Sequence, residues 1–229
     1  MRWRSLVAIG MAVGLAAPLA AQDTRPGIAV LPFENGGSYG QDAEDFEALR
    51  VGLQQMLTTE FAQNNALRVV ERSQVHALMQ EQDLGASGRV DPQTAARIGR
   101  LVGAKYMVMG SFIDFYGDFR LDLRVVNVET SEIVRVERMR KPREDLYDLV
   151  VEAANNLTQG LNLPALSRQA LQQRQDRDIP EEAMRFYSRA LLYADRGDTT
   201  RAAELFSRAI ERFPDYTEAR QALQQLRQS

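Results

Sequence analysis

The chain has 229 residues, enough for one substantial core and a small appendage, with 45% hydrophobic and 26% charged residues and a formal net charge of -3. That mild acidity argues against a nucleic-acid binder, which needs Lys and Arg to neutralise phosphates. The absence of cysteine excludes disulfides, thiolate metal sites and Cys nucleophiles.

The chain opens on a secretory pattern. Arg2 and Arg4 form a basic start, 6–15 (LVAIGMAVGL) an apolar stretch, and 16–21 (AAPLAA) a run of small residues. The predicted cleavage lies between Ala21 and Gln22, removing 1–21. The apolar stretch is shorter than the roughly 20 residues that span a bilayer. No later segment is apolar enough for a membrane helix. The mature chain is therefore expected to carry no spanning segment, while peripheral membrane association stays open.

Residues 27–33 (GIAVLPF) form a continuous apolar run that predicts a buried strand, ended by a turn at Asn35-Gly36-Gly37. Over 45–61, Phe46, Leu49, Leu53, Met56, Leu57 and Phe61 recur at helical spacing. A short strand follows at 67–70. Ser73 suits the cap of a helix over 74–82. Residues 85–88 read as a loop. Asp91-Pro92 caps and opens a helix to about residue 102.

Three strands follow, over 105–115, 119–128 and 132–139. The second alternates cleanly, with Phe119, Leu121, Leu123 and Val125 against Arg120, Asp122 and Arg124. They pair most simply as an antiparallel meander. A helix is predicted over 143–160. The order β-α-β-α-α-β-β-β-α predicts an α/β (α+β) domain over 22–163, a mixed and mostly antiparallel sheet covered by helices. Residues 164–179 read as a polar, solvated linker or helix.

The last segment, 180–229, changes character. Counting from Ala183, Phe186, Ala190, Tyr193, Ala202, Phe206, Ala209 and Pro214 fall at the signature positions of a tetratricopeptide repeat, which this segment resembles. Arg189 stands where the consensus has Leu. One repeat and a following helix are short of the three or so that arrays usually need. The hairpin is therefore expected to dock, on its own chain or on another subunit, in preference to offering a peptide groove.

The stretch 27–134 resembles the CsgG family of curli assembly and transport components and the related holdfast-attachment proteins. The matching residues are IAVLPF from Ile28, VERS from Val70, GAK from Gly103, Gly110-Ser111, and VVNVETSEI from Val125. The resemblance implies an anticodon-binding-like α/β core and a place in the cell envelope. It also implies secretion or assembly proteins as partners and a ring-forming homo-oligomer. Pore-forming members carry a lipidated Cys and two long membrane-spanning hairpins. Here the corresponding positions hold Tyr116-Gly117-Asp118 and a short charged segment, 140–145. A spanning strand needs about 9–11 residues, so a relative with no pore of its own is expected.

No catalytic, cofactor or metal site is expected. His76, the sole histidine, sits at helical spacing between Val75 and Leu78 and has no nucleophile motif beside it. The loop at 85–88 does not follow a strand, so it is no phosphate loop. Asp42, Glu44, Asp45 and Glu47 suit a helix start. Asp114, Asp118 and Asp122 read as wet carboxylates at a turn, and the Arg138–Arg143 cluster as a solvated turn. Candidate contact residues are Tyr39, Tyr116, Phe119, Tyr187 and Tyr193. The readings carried forward are a non-catalytic envelope scaffold or accessory protein, a secretion-channel subunit, and an uncharacterised periplasmic enzyme.

Overall fold

The computed structural model describes residues 23–81 and 90–228. The predicted leader, its cleavage position and the loop at 85–88 lie outside these residues. Strands β1 (Gly27–Val30), β2 (Glu34–Asn35), β3 (Arg68–Val69), β4 (Tyr106–Phe115), β5 (Asp118–Asn127) and β6 (Ile133–Pro142) form one sheet in the order β3-β1-β4-β5-β6, with β2 also on β4. The long ladders β4–β5 and β5–β6 are antiparallel, and the short strands β1, β2 and β3 pair in parallel. The expected fold class and meander therefore hold.

Three local expectations change. Asn35 belongs to β2, because Glu34 and Asn35 register against Ser111 and Phe112. Helix α2 (Arg72–Glu81) includes Ser73, which is therefore not its cap; the Glu71 carbonyl accepts from Gln74 and Val75 there. Strand β6 runs to Pro142, which puts most of the basic cluster on a strand. Helix α3 (Pro92–Leu101) starts as predicted, the Asp91 carboxylate accepting from the Thr94 N–H at 2.8 Å.

One face of the sheet is covered by α1 (Ala43–Ala62) and α4 (Leu146–Gly160). Ile28, Val30, Val108, Leu121 and Leu123 pack there against Leu49, Leu53, Leu57, Leu149 and Val150. The other face is covered only in part. Helices α2 (Arg72–Glu81) and α3 meet Ala29, Leu31, Met107, Val126 and Val128. The half of the sheet nearer the β4–β5 turn has no helix on that side among the described residues.

Helix α5 (Arg168–Gln175) leads to α6 (Glu181–Asp195), α7 (Thr199–Arg212) and α8 (Thr217–Leu226). The sequence placed small residues between aromatics in this segment, and the packing shows why. Ala190, Ala202 and Ala209 are fully buried and let α6 and α7 approach. Tyr187 then fills the space against Phe206 and Tyr216, with ring centroids 5.8 and 4.9 Å apart.

These helices dock on α1 of the same chain. A Cβ on Gly52 would lie 1.9 Å from the Ser188 hydroxyl oxygen, so only glycine permits this approach of α1 to α6. Ala48, Val51 and Leu192 form an apolar cluster at the same crossing. Arg189 ion-pairs with Glu44 and lies 3.5 Å from Asp45, and the Tyr193 hydroxyl also bonds Glu44. The departure from the repeat consensus at Arg189 has a local reason: its neighbour is the acidic start of α1, where a leucine would remove the cation paired with Glu44 and leave Asp45 only Arg185, at 3.8 Å.

Charged groups close the remaining seam. Arg72 of α2 makes a two-pronged pair with Asp195 at 2.7 and 2.9 Å. Buried Glu60 accepts from Arg174 at 2.6 and 3.0 Å and from the Tyr147 hydroxyl at 3.1 Å. Arg177 bonds Glu218 twice at 2.7 Å. The segment expected to be a solvated linker thus returns two arginines to the body of the molecule. Burial acts to raise the Glu218 carboxyl, but Arg177 and Arg174 outweigh it and leave it below the usual range.

Two outcomes test the seam. G52A should destabilise the protein by about 1–3 kcal/mol through overpacking. Adding S188G should cost less than the sum of the two single changes, as measured by urea denaturation of all four proteins. Burial also holds the Asp45 carboxyl above its usual range despite Arg185 and Arg189. The fold therefore binds that proton more tightly than the unfolded chain does, and ionised Asp45 lowers stability above the folded pKa. D45N should raise the thermal midpoint at pH 7, and the advantage should disappear as pH falls towards about 4, the ordinary Asp value.

Candidate protein-interaction surface

The uncovered half-sheet is built by strand alternation. On β4, Met109, Ser111, Ile113 and Phe115 face this side. They register against Arg124, Asp122, Arg120 and Asp118 of β5, and three of these register in turn against Val136, Arg138 and Arg140 of β6. Four arginines and two aspartates so share one surface with Val136 and Phe115. Arg138 and Arg140 are 70% and 71% exposed. Arg140 pairs with Asp118, and Arg120 and Arg138 lie 2.9 and 3.6 Å from Asp122.

At one end the sheet closes in a tight turn, Tyr116-Gly117, with both residues at positive φ, 53° and 93°. Phe115 and Tyr116 meet edge to face at 5.1 Å, and Tyr39 meets Phe115 at 6.2 Å. All three are at least 60% exposed. Asp114 beneath them is fully buried, contrary to the expectation of a wet turn carboxylate. It accepts from the Gly117 N–H at 2.9 Å and from Arg143 at 2.7 Å, and the Ser38 hydroxyl accepts from its N–H. This bracket holds an exposed aromatic cluster in a fixed position. Such a patch marks a contact site more often than a solvated surface does.

At the other end a groove of about 600 Å³ separates the sheet from the facing ends of α2 and α3. Leu31, Met79, Val90, Pro92 and Met109 give it an apolar lining, and Glu34, Arg50, Asp122 and Arg124 give it charged sides. Gly110 lies in its floor, where a Cβ would strike Phe33 and the Asp122 carbonyl.

The other candidate residues separate clearly. Tyr39 and Tyr116 are exposed as expected. Phe119 is core, stacked on Phe112 at 5.7 Å, and Tyr187 is buried inside the repeat, so neither can meet a partner. Tyr193 is engaged by its own α1. Of the repeat signature, Phe186, Ala190, Ala202, Phe206 and Ala209 are buried, while Pro214 is exposed just after α7. The acidic residues at the start of α1 do not converge: Glu44 and Asp45 face Arg189, Glu47 pairs with Arg50, and Asp42 is exposed. His76 bonds the Gln80 amide and lies 3.8 Å from Asp195. Among the described residues no three His, Asp or Glu gather as metal ligands, and no helix is long and apolar enough to cross a membrane.

Sequence reasoning saw the wet face of β5 but not its extension. Only the β5–β6 register aligns Arg138 and Arg140 with Asp122 and Arg120. The alternation of Val134, Val136, Arg138 and Arg140 was the available signal.

Residues 15–120 match the family model described as curli production assembly/transport component CsgG, and residues 182–226 match a tetratricopeptide-repeat model. Both resemblances read from the sequence therefore hold, although the segment from Val125 to Ile133 lies beyond the matched range. Neither description names a catalytic activity. Among solved structures, the LpoB C-terminal domain from Salmonella enterica is 23% identical, with 52% of this chain and 83% of that one covered and a TM-score of 0.36. TolB from Acinetobacter baumannii is 15% identical, covering 61% and 29%, with a TM-score of 0.36. Lipoprotein GNA1162 from Neisseria meningitidis is 12% identical, covering 58% and 96%, with a TM-score of 0.39. No curated protein matches the chain.

D114A removes the buried carboxylate that accepts from both Arg143 and the Gly117 N–H, leaving Arg143 with Glu181 at 3.3 Å, and should cost about 1–3 kcal/mol. Hydrogen exchange at Tyr116 and Gly117 should accelerate more than exchange in α6, which locates the loss at the aromatic turn.

Proposed function

We propose that this chain, CsgG-like in its first half and tetratricopeptide-like at its end, is a non-catalytic accessory protein of the cell envelope. It is secreted by its leader, cut between Ala21 and Gln22, and works in assembly or secretion by binding other proteins. The layout is a leader at 1–21, the α/β domain at 22–163, a linker at 164–179 and the repeat at 180–229. The observation that carries the protein-binding reading is the uncovered half-sheet, with exposed aromatics at its turn and arginines across β5 and β6. Tyr and Arg are the side chains most enriched where binding energy concentrates. The CsgG match and the leader pattern support the envelope. Self-association is part of this reading, implied by the resemblance.

A secretion-channel subunit is the competing reading, and the short connections disfavour it. The β4–β5 link is the two-residue turn at Tyr116-Gly117, and β6 passes directly into a single turn, Arg143–Asp145, before α4. Spanning strands need about 9–11 residues each.

The full chain should be expressed in a diderm bacterium and fractionated, with a photo-crosslinking residue placed at Phe115. The accessory reading expects the protein in the soluble periplasm or in an easily washed membrane fraction, shortened by 21 residues, with discrete protein adducts from position 115. Retention in carbonate-washed outer membrane together with bilayer conductance would install the channel reading instead.

A further inference from the structure

The uncovered half-sheet opposes the rest of the chain in charge. Overall, acids outnumber Lys and Arg by 31 to 28. On this face Arg120, Arg124, Arg138 and Arg140 outnumber Asp118 and Asp122. Asp118 is occupied by Arg140, and Asp122 is divided between Arg120 and Arg138. Arg124 makes no ion pair or hydrogen bond among the described residues, and it stands at the mouth of the groove. Across β5 and β6 four arginines thus face two aspartates, and Arg124 keeps a free guanidinium beside an apolar cleft lined by Met79 and Met109, whose own acids Glu34 and Asp91 accept from the Val90 and Thr94 N–H groups. A guanidinium offers paired donors whose geometry fits a carboxylate. Methionine side chains adapt to apolar groups of varied shape.

We propose that this face binds an acidic segment of a partner protein. The partner's carboxylates pair with Arg124 and Arg138, and one of its apolar side chains enters the groove. This rests on the protein-binding reading above and specifies the chemistry of the partner. Phosphate polymers fit less well: Asp118, Asp122, Glu34 and Asp91 lie within the same surface and would repel an unbroken row of phosphates. A flat bilayer has no protruding apolar group for a cleft set back between the sheet and the ends of α2 and α3. The face is a better contact than the free edge of β6. That strand carries a register shift beside Val126, basic side chains and a terminal proline, the features that discourage strand addition.

The test uses the purified protein and a fluorescein-labelled hexapeptide of four glutamates flanking two leucines, read by polarisation and by NMR peak shifts. Binding should saturate, with shifts concentrated on β4–β6 and the groove. It should weaken by about tenfold or more in R124E/R138E, equivalent to roughly 1.4 kcal/mol. R220E, on α8, should leave it unchanged, and R124E/R138E should still unfold cooperatively, its thermal midpoint lowered only by the glutamate set opposite Asp122. Replacing both leucines with serine should also weaken it. The inference is overturned by absent binding, by binding indifferent to R124E/R138E, or by stronger competition from a single-stranded oligonucleotide or phosphatidylglycerol vesicles. Protein adducts from position 115 without peptide binding would keep the accessory reading and discard the acidic partner; loss of both would discard the two together.

Discussion

Helix α1 is buried from two sides, and the rest of the molecule depends on that. Towards the sheet it presents Phe46, Leu49, Leu53, Leu57 and Phe61; towards α6 it presents Ala48, Val51 and Gly52. A helix with apolar residues on both sides must be enclosed. The enclosure resolves the difficulty posed by a solitary repeat, which lacks the neighbours that normally bury its faces. Here α1 acts as the preceding helix of the array, and the α/β domain serves as the missing neighbour. The polar pairs around the contact, Arg189 with Glu44, Arg72 with Asp195 and Glu60 with Arg174, fix its register more than they add stability.

That arrangement assigns the two faces of the sheet different fates. The face under α1 and α4 is committed to the core, and the repeat helices are anchored to the outer side of α1. Helices α2 and α3 cover only β1 and the ends of β4 and β5 remote from the turn that joins them. The surface left over is therefore the one composed of β4, β5 and β6, backed by a continuous core and clamped at its turn by Asp114 and Arg143. A rigid sheet carrying exposed Arg and Tyr loses little conformational freedom on binding, which favours its use as a contact.

Most elements were legible because their signals are local. The alternation in 119–125, the helical spacing in 46–61, the Asp91-Pro92 start and the repeat positions from Phe186 to Pro214 each depend on side chains within a few turns. The failures came from long-range partners. Asp114 resembled a solvated turn residue until Arg143 and Gly117 closed over it. Phe119, at the start of the alternating strand, and Tyr187, on the repeat, could each have been core or contact until Phe112, Phe206 and Tyr216 enclosed them. Arg174 and Arg177 looked like linker polarity because Glu60 and Glu218, their partners, are 114 and 41 residues away in the chain.

The sequence by itself determined the strand and helix order, the family resemblance of both regions and the small-residue contacts within the repeat, because periodicity and residue size act locally. Only the tertiary structure decided that the repeat docks on α1, that Arg189 departs from consensus to meet Glu44 and Asp45, and that Arg124, Arg138 and Arg140 share one open surface. Each of these depends on strand register or on helix crossing, which bring together residues that no spacing in the chain relates.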